Sequence, residues 1–198
     1  MFPYIILDDI INKEKQDVIE KYMFSGDVNW QWTRNVHFKK ETNPEVDEST
    51  HWRVGFKHLI QHWDKIYVKN ITPFTEIVEN ISKRLKWSIK LNHIRGAMFP
   101  NVPFDSPIGM PHIDFRDSPQ HKIIIYYVND IDGDTVLFKN RTHDTTPEKA
   151  LNNELTKMIS ISPKKGRCVI FDGDRYHATG RPKNDFRCVL NYNIELVE

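Results

Sequence analysis

Arg187-Cys188-Val189-Leu190-Asn191-Tyr192-Asn193-Ile194 changes character from one residue to the next. Cys188, Leu190, Tyr192 and Ile194 form an apolar set, while Arg187, Val189, Asn191 and Asn193 form a mostly polar one. A period of two marks an extended strand whose successive side chains leave on opposite faces. In a plain sandwich the polar set faces water. In a barrel that holds a site the polar set faces inward, and the apolar set packs against whatever lies outside. The strand alone is compatible with both arrangements.

Working back from it, Ile89 to Met98, Lys122 to Val128, Thr135 to Phe138, Met158 to Ile161 and Arg167 to Phe171 are further strand candidates. Asp132-Gly133-Asp134 and Lys164-Lys165-Gly166 are turn signals between them. Many short strands in one region suggest a barrel or a double-sheet jelly roll. Thr145 to Leu155 interrupts them as an insertion over one rim, and the Pro- and Gly-containing stretch Asn101 to Met110 reads as a loop bordering an entrance. Before about residue 90 the pattern is helical. Asn12 to Tyr22 reads as a surface helix with Ile11, Val18, Ile19 and Tyr22 on its apolar side. Thr72, as N-cap, and Pro73 open a second helix with a stripe of Phe74, Ile77, Val78, Ile81 and Leu85. Trp30, Trp32 and Trp52 are expected to pack in this layer.

The 198 residues are 39% hydrophobic and 28% charged with a net charge of +1, which describes a soluble globular chain and gives no support to nucleic-acid binding. No apolar run approaches a membrane span, and the first residues lack the basic start of a signal peptide. Cys168 and Cys188 lie in apolar strands outside any C-x-x-C and read as buried free thiols, so a reducing cytoplasmic setting is the default expectation.

Pro111-His112-Ile113-Asp114 contains H-x-D. In extended chain, residues i and i+2 project together, so His112 and Asp114 can grip one ion. The best third ligand is His177, which follows the apolar strand ending at Phe171. Two histidines and one carboxylate on one side of an ion leave the other side open, an arrangement suited to non-haem Fe(II). His37, His51, His121 and His143 lack ligand spacing. Arg187, ten residues past His177, would be costly inside a barrel unless an anion paired it. A dicarboxylate held by metal at one end would do so. Arg181, in a Gly-Arg-Pro turn, is the alternative. Arg116 and Arg175 are placed to reach the mouth.

From about Leu91 to Ile194 the chain resembles the prolyl-hydroxylase-like branch of the 2-oxoglutarate/Fe(II)-dependent dioxygenases. His112-Ile113-Asp114 is similar to the family's H-x-D. Ile125-Tyr126-Tyr127-Val128-Asn129 resembles its "YYLN" strand, and Gly133-Asp134-Thr135-Val136-Leu137-Phe138 the turn and strand that follow. Pro163 to Phe171 looks like its "P-x-x-G-x-x-x-x-F" lead into the distal His177, and Arg187 falls at its cosubstrate arginine. The resemblance implies a double-stranded β-helix, a jelly-roll or cupin-like fold that is mainly β with some α. One domain over 1–198 is expected, with a helical support layer over 1–90 and the β-helix core over 91–198. It further implies Fe(II) held by His112, Asp114 and His177. 2-Oxoglutarate is expected on Arg187 and Tyr127, with Asn191 or Asn92 assisting. The implied reaction is hydroxylation, with dioxygen, of a C–H bond in a peptidyl or small amino-acid-like substrate, 2-oxoglutarate leaving as succinate. Phe99 departs from the pattern, standing where some members carry a tyrosine that touches the cosubstrate. Two rivals are a non-catalytic cupin-like binding module, which would lack the arginine anchor, and a hydrolytic zinc enzyme, for which no H-E-x-x-H motif is present.

Overall fold

The computed structural model describes residues 3–33, 54–102, 107–114, 120–141 and 154–197. In chain order these form β1 (Tyr4–Leu7), α1 (Lys13–Met23), β2 (Gln31–Thr33), β3 (Gly55–His62), β4 (Lys65–Ile66), α2 (Thr72–Leu85) and β5 (Ile89–Phe99). There follow β6 (His121–Tyr127), β7 (Thr135–Arg141), β8 (Lys157–Ile161), β9 (Cys168–Asp172), β10 (Arg175–Thr179) and β11 (Arg187–Leu196).

Two antiparallel sheets face each other. The larger runs β1-β9-β6-β11-β5-β3-β2, with β4 added to β3, and the smaller runs β10-β7-β8. Beyond β10 the chain from Pro107 to His112 continues the smaller sheet irregularly, through bridges Ile108 to Gly180 and His112 to His177. This is the double-stranded β-helix that the strand pattern and the resemblance imply.

The alternation in β11 resolves in favour of the barrel. Cys188, Leu190, Tyr192 and Ile194 join Ile124 and Tyr126 of β6 in a core shared with Ile19 and Met23 of α1 and Phe74, Ile77 and Ile81 of α2. The Tyr192 hydroxyl donates to the Phe74 carbonyl at 3.0 Å, tying the sheet to α2. The opposite face of the same strands, including Ile123, Ile125, Tyr127 and Val189, packs between the sheets with Leu137, Ile161, Val169 and Phe171. Cys168 and Cys188 are buried free thiols, as expected. No helix among the described residues is long and apolar enough to cross a membrane.

Four differences from the sequence reading have physical reasons. The layer over 1–90 supplies strands as well as helices: β1 pairs with β9, and β3 extends the larger sheet from β5. In α1 the buried residues are Gln16, Ile19 and Met23, while Val18 is 54% exposed; Gln16 is satisfied there by donating to Asp9 Oδ1 and the Ile11 carbonyl. The N-cap of helix α2 is Ile71, one step earlier than expected; Thr72 is already helical, and its N–H donates to Asn70 Oδ1 at 3.1 Å. Trp32 is 62% exposed rather than packed. Of the expected rim insertion, all but its last residues lie outside the described residues, as do His37, His51, Trp52, Arg116 and His143.

Candidate metal centre

His177 lies in β10, and His112 sits beside it across an antiparallel bridge. The His112 N–H donates to the His177 carbonyl at 2.9 Å, and the His177 N–H donates back at 2.9 Å. Residues paired in this way project from the same face, and the two imidazole centroids stand 4.2 Å apart. Asp114 follows two residues after His112, and its Oδ1 lies 3.6 Å from His112 Nε2. One ligand atom from each of the three residues lies within 4.8 Å of the others.

Hydrogen bonds fix which nitrogens are offered. His112 Nδ1 donates to the Met110 carbonyl at 3.0 Å, and His177 Nδ1 donates to the Arg175 carbonyl at 3.2 Å. Each ring therefore carries its proton on Nδ1 and turns a bare Nε2 lone pair inward. Burial pushes His112 down to about 3, with the neighbouring His177 adding to the shift. Burial likewise lowers His177. For Asp114, burial would raise the pKa, but His177, His112, Arg95 and a hydrogen bond from Asn191 hold it well below the usual carboxylate range. Neutral imidazoles and an ionised carboxylate are the protonation states that a bound cation requires. The donor set, two nitrogens and one oxygen, fits Fe(II).

Asn191 meets Asp114 directly. Its Nδ2 donates to Asp114 Oδ2 at 2.9 Å, Asn193 Nδ2 donates to Asn191 Oδ1 at 2.8 Å, and His121 Nε2 donates to Asn193 Oδ1 at 3.2 Å. The three side chains form a line that orients the carboxylate. Asn92, the other group expected to assist a cosubstrate, lines an outer cleft instead.

Arg187 is 1% exposed. Its Nη2 donates to Thr135 Oγ1 at 2.8 Å, and its guanidinium carbon lies 5.5 Å from the ring centres of both Phe99 and Tyr127. Its Nε and Nη1 are buried and meet no hydrogen-bond partner among the described residues. Tyr127 donates its hydroxyl to the same Thr135 Oγ1 at 2.6 Å. One narrow cavity of about 20 Å³ reaches His112, His177, Thr135, Arg187 and Asn191. Arg181 does not line that cavity; its Nη1 donates to the Val102 carbonyl at 2.6 Å. Arg175 was expected at the mouth, but it is buried and donates to the Phe138 and Lys139 carbonyls at 2.9 and 3.3 Å. It serves the sheet.

On the other side of Asp114 a cleft of about 470 Å³ opens between His62, Trp63, His93, Arg95 and His121. Arg95 and Thr135 both escaped the sequence reading. The signal for Arg95 was an arginine two residues before Ala97 and four before Phe99, on the face those residues share.

No family model matches the sequence, and no curated protein does. Solved structures match over nearly the whole chain. The epimerase SnoN from nogalamycin biosynthesis, a non-haem α-ketoglutarate-dependent enzyme, aligns over 98% of this chain and 78% of its own, with 9% identity and a TM-score of 0.63. The viral collagen prolyl hydroxylase of Paramecium bursaria Chlorella virus-1 aligns over 99% and 97%, with 13% identity and a TM-score of 0.56. The fold is that of the 2-oxoglutarate/Fe(II) oxygenases. A Trichoplax adhaerens prolyl hydroxylase, solved with a hypoxia-inducible-factor peptide fragment, carries this oxygenase fold too, over 98% and 84% at 13% identity and a TM-score of 0.60. One epimerase and two hydroxylases on the oxygenase fold show that the fold does not choose the reaction.

Proposed function

We propose that the protein is an Fe(II)/2-oxoglutarate-dependent dioxygenase that hydroxylates a C–H bond of a peptidyl or small amino-acid-like substrate. The observation that carries this reading is Arg187: a buried cation with two unsatisfied donors, sharing a cavity with His112 and His177. A buried guanidinium left unpaired is costly, and a dicarboxylate reaching from the metal ligands to Arg187 offsets that cost with a bidentate bond.

His112 and His177 would hold Fe(II) through Nε2 and Asp114 through its carboxylate. When bound, the iron with 2-oxoglutarate and dioxygen supplies the oxidation, releasing succinate and carbon dioxide. The chain's own task is placement. Asn191 keeps Asp114 turned toward the ion. Arg187 anchors the far carboxylate with the Thr135 hydroxyl beside it, and Tyr127 stands behind Thr135, its hydroxyl donated to Thr135 Oγ1. Ile125 and Val189 give the cavity apolar walls.

The deciding experiment is an anaerobic titration of the apo-protein with Fe(II) and then 2-oxoglutarate, followed by the visible charge-transfer band, with Arg187→Ala in parallel. The expected result is a band that saturates at one equivalent and needs much more 2-oxoglutarate in the variant. Bound metal without a band would overturn the oxygenase reading in favour of a non-catalytic binding module.

A further inference from the structure

Arg95 occupies the middle of β5, opposite Asn191 of β11 on one side and Leu59 of β3 on the other. Its register places it on the interior face with Ala97 and Phe99. It borders both the cavity that holds Arg187 and the outer cleft beyond Asp114. Its Nε is buried without a hydrogen-bond partner among the described residues. On the next strand Lys57 pairs with Ala97 and so projects from the same face. Lys57 is half-buried, and it feels the opposing charge of Arg95 and the attracting charge of Asp114. Among the described residues no carboxylate forms an ion pair with either cation. Once Asp114 is committed to a metal ion, Arg95 at the site and Lys57 beside it on the same face are left without a paired carboxylate among the described residues. Like charges in a partly buried setting repel, and an anion between them removes that cost.

We infer that the substrate carries a carboxylate, clamped by Arg95 with Lys57 in support, and that this contact selects what is oxidised. The inference rests on the oxygenase reading of the site. A planar guanidinium matches a carboxylate in a two-point bond. The cleft volume of about 470 Å³ suits a small molecule or one residue of a chain. Its remaining walls, Trp63, His62 and His93, give flat surfaces to an organic body. Arg187 is already taken by the cosubstrate in this scheme, so Arg95 is the cation left for the substrate.

The test uses zinc-loaded protein saturated with 2-oxoglutarate, which binds without turnover. N-acetyl-proline, N-acetyl-aspartate and N-acetyl-glutamate are titrated by ligand-observed NMR, each beside its uncharged carboxamide, with inorganic phosphate as a separate arm. At least one acid is expected to bind about tenfold more tightly than its carboxamide. Arg95→Gln should weaken that acid by about tenfold and Lys57→Gln by a smaller factor, with carboxamide binding unchanged. Arg95→Lys should recover part of the loss. The inference is overturned if no acid binds, if acid and carboxamide bind alike, if phosphate outcompetes every acid, or if Arg95→Gln leaves acid binding intact. It is also overturned if Arg95→Gln weakens 2-oxoglutarate as Arg187→Ala does, since Arg95 would then serve the cosubstrate. Failure of wild-type protein to bind 2-oxoglutarate sinks the oxygenase reading instead. The acid and carboxamide comparison on the zinc protein alone then still decides the role of Arg95.

Discussion

Asp114 and Arg187 bring opposite charges to the site, and each can be removed separately. Asp114→Ala takes away a ligand and should abolish tight binding of Fe(II) or Zn(II) in a calorimetric titration. Asn191→Ala keeps all three ligands but frees Asp114 Oδ2 from its donor, and a loss of about 10- to 100-fold in metal affinity is expected. Metal binding equal to wild type in Asn191→Ala would make that hydrogen bond incidental. Arg187→Ala should weaken 2-oxoglutarate by about 100-fold or more, whereas Arg181→Ala, whose guanidinium is bound to the Val102 carbonyl, should change it little. Two of the three candidate metal ligands were legible in the sequence because H-x-D encodes its own geometry: two residues apart in extended chain means one face. Asn191 was legible as a polar member of an alternating strand and, through the resemblance, as a group expected to assist the cosubstrate. Its attachment to Asp114 depends on a chain segment far away in sequence, and no local pattern records that. Arg95 was hidden for the same reason, since its partners in β3 and β11 are set by register across three strands.

Among elements, α2 and β11 show how the support layer and the site are separated by one sheet. The α2 stripe packs on the outer face of the larger sheet, while the metal ligands stand on the inner side. Ile77→Ala, at a fully buried position, should therefore destabilise the fold by about 2–5 kcal/mol in urea unfolding and leave metal affinity as it was. A matching loss of metal affinity would show that the sheet transmits the disturbance. Helix α2 could be read from periodicity because its apolar residues follow a single buried stripe, and the strands from β5 to β9 could be read as short apolar runs between turn signals, β6 being buried on both faces. Strand β3 could not. Its inward side carries Lys57, and a bulge between Leu59 and Gln61 breaks the alternation. Strand β10 was disguised as a loop, since Arg175 and His177 look polar. One is spent on the carbonyls of β7 and the other on the site.

For the molecule as a whole, buried and half-buried histidines set the acid limit of the metal-free protein. His58, His93, His112, His121 and His177 are all held below their ordinary value, with burial the first cause in each. An unfolded histidine takes up its proton near pH 6.5, whereas folded His112 resists until about pH 3 and His93 until about 4. The unfolded state therefore binds more protons throughout that window, and stability, complete above pH 6.5, is lost as the pH falls toward 3. His112 alone should account for about 1.5 kcal/mol between pH 6.5 and 5, seen as a lower urea midpoint. An unchanged midpoint would mean that these rings are solvated in solution. The doubly bonded backbone pair between His112 and His177 has a separate consequence. Each of those amide hydrogens is locked inside the bridge that sets the spacing of the two rings. Deuterium can enter either amide only when the bridge parts, and parting it pulls the ligands away from a shared ion. The exchange half-lives of these two amides should thus lengthen together as metal is added, making the peptide backbone itself a clock for how long the ion stays.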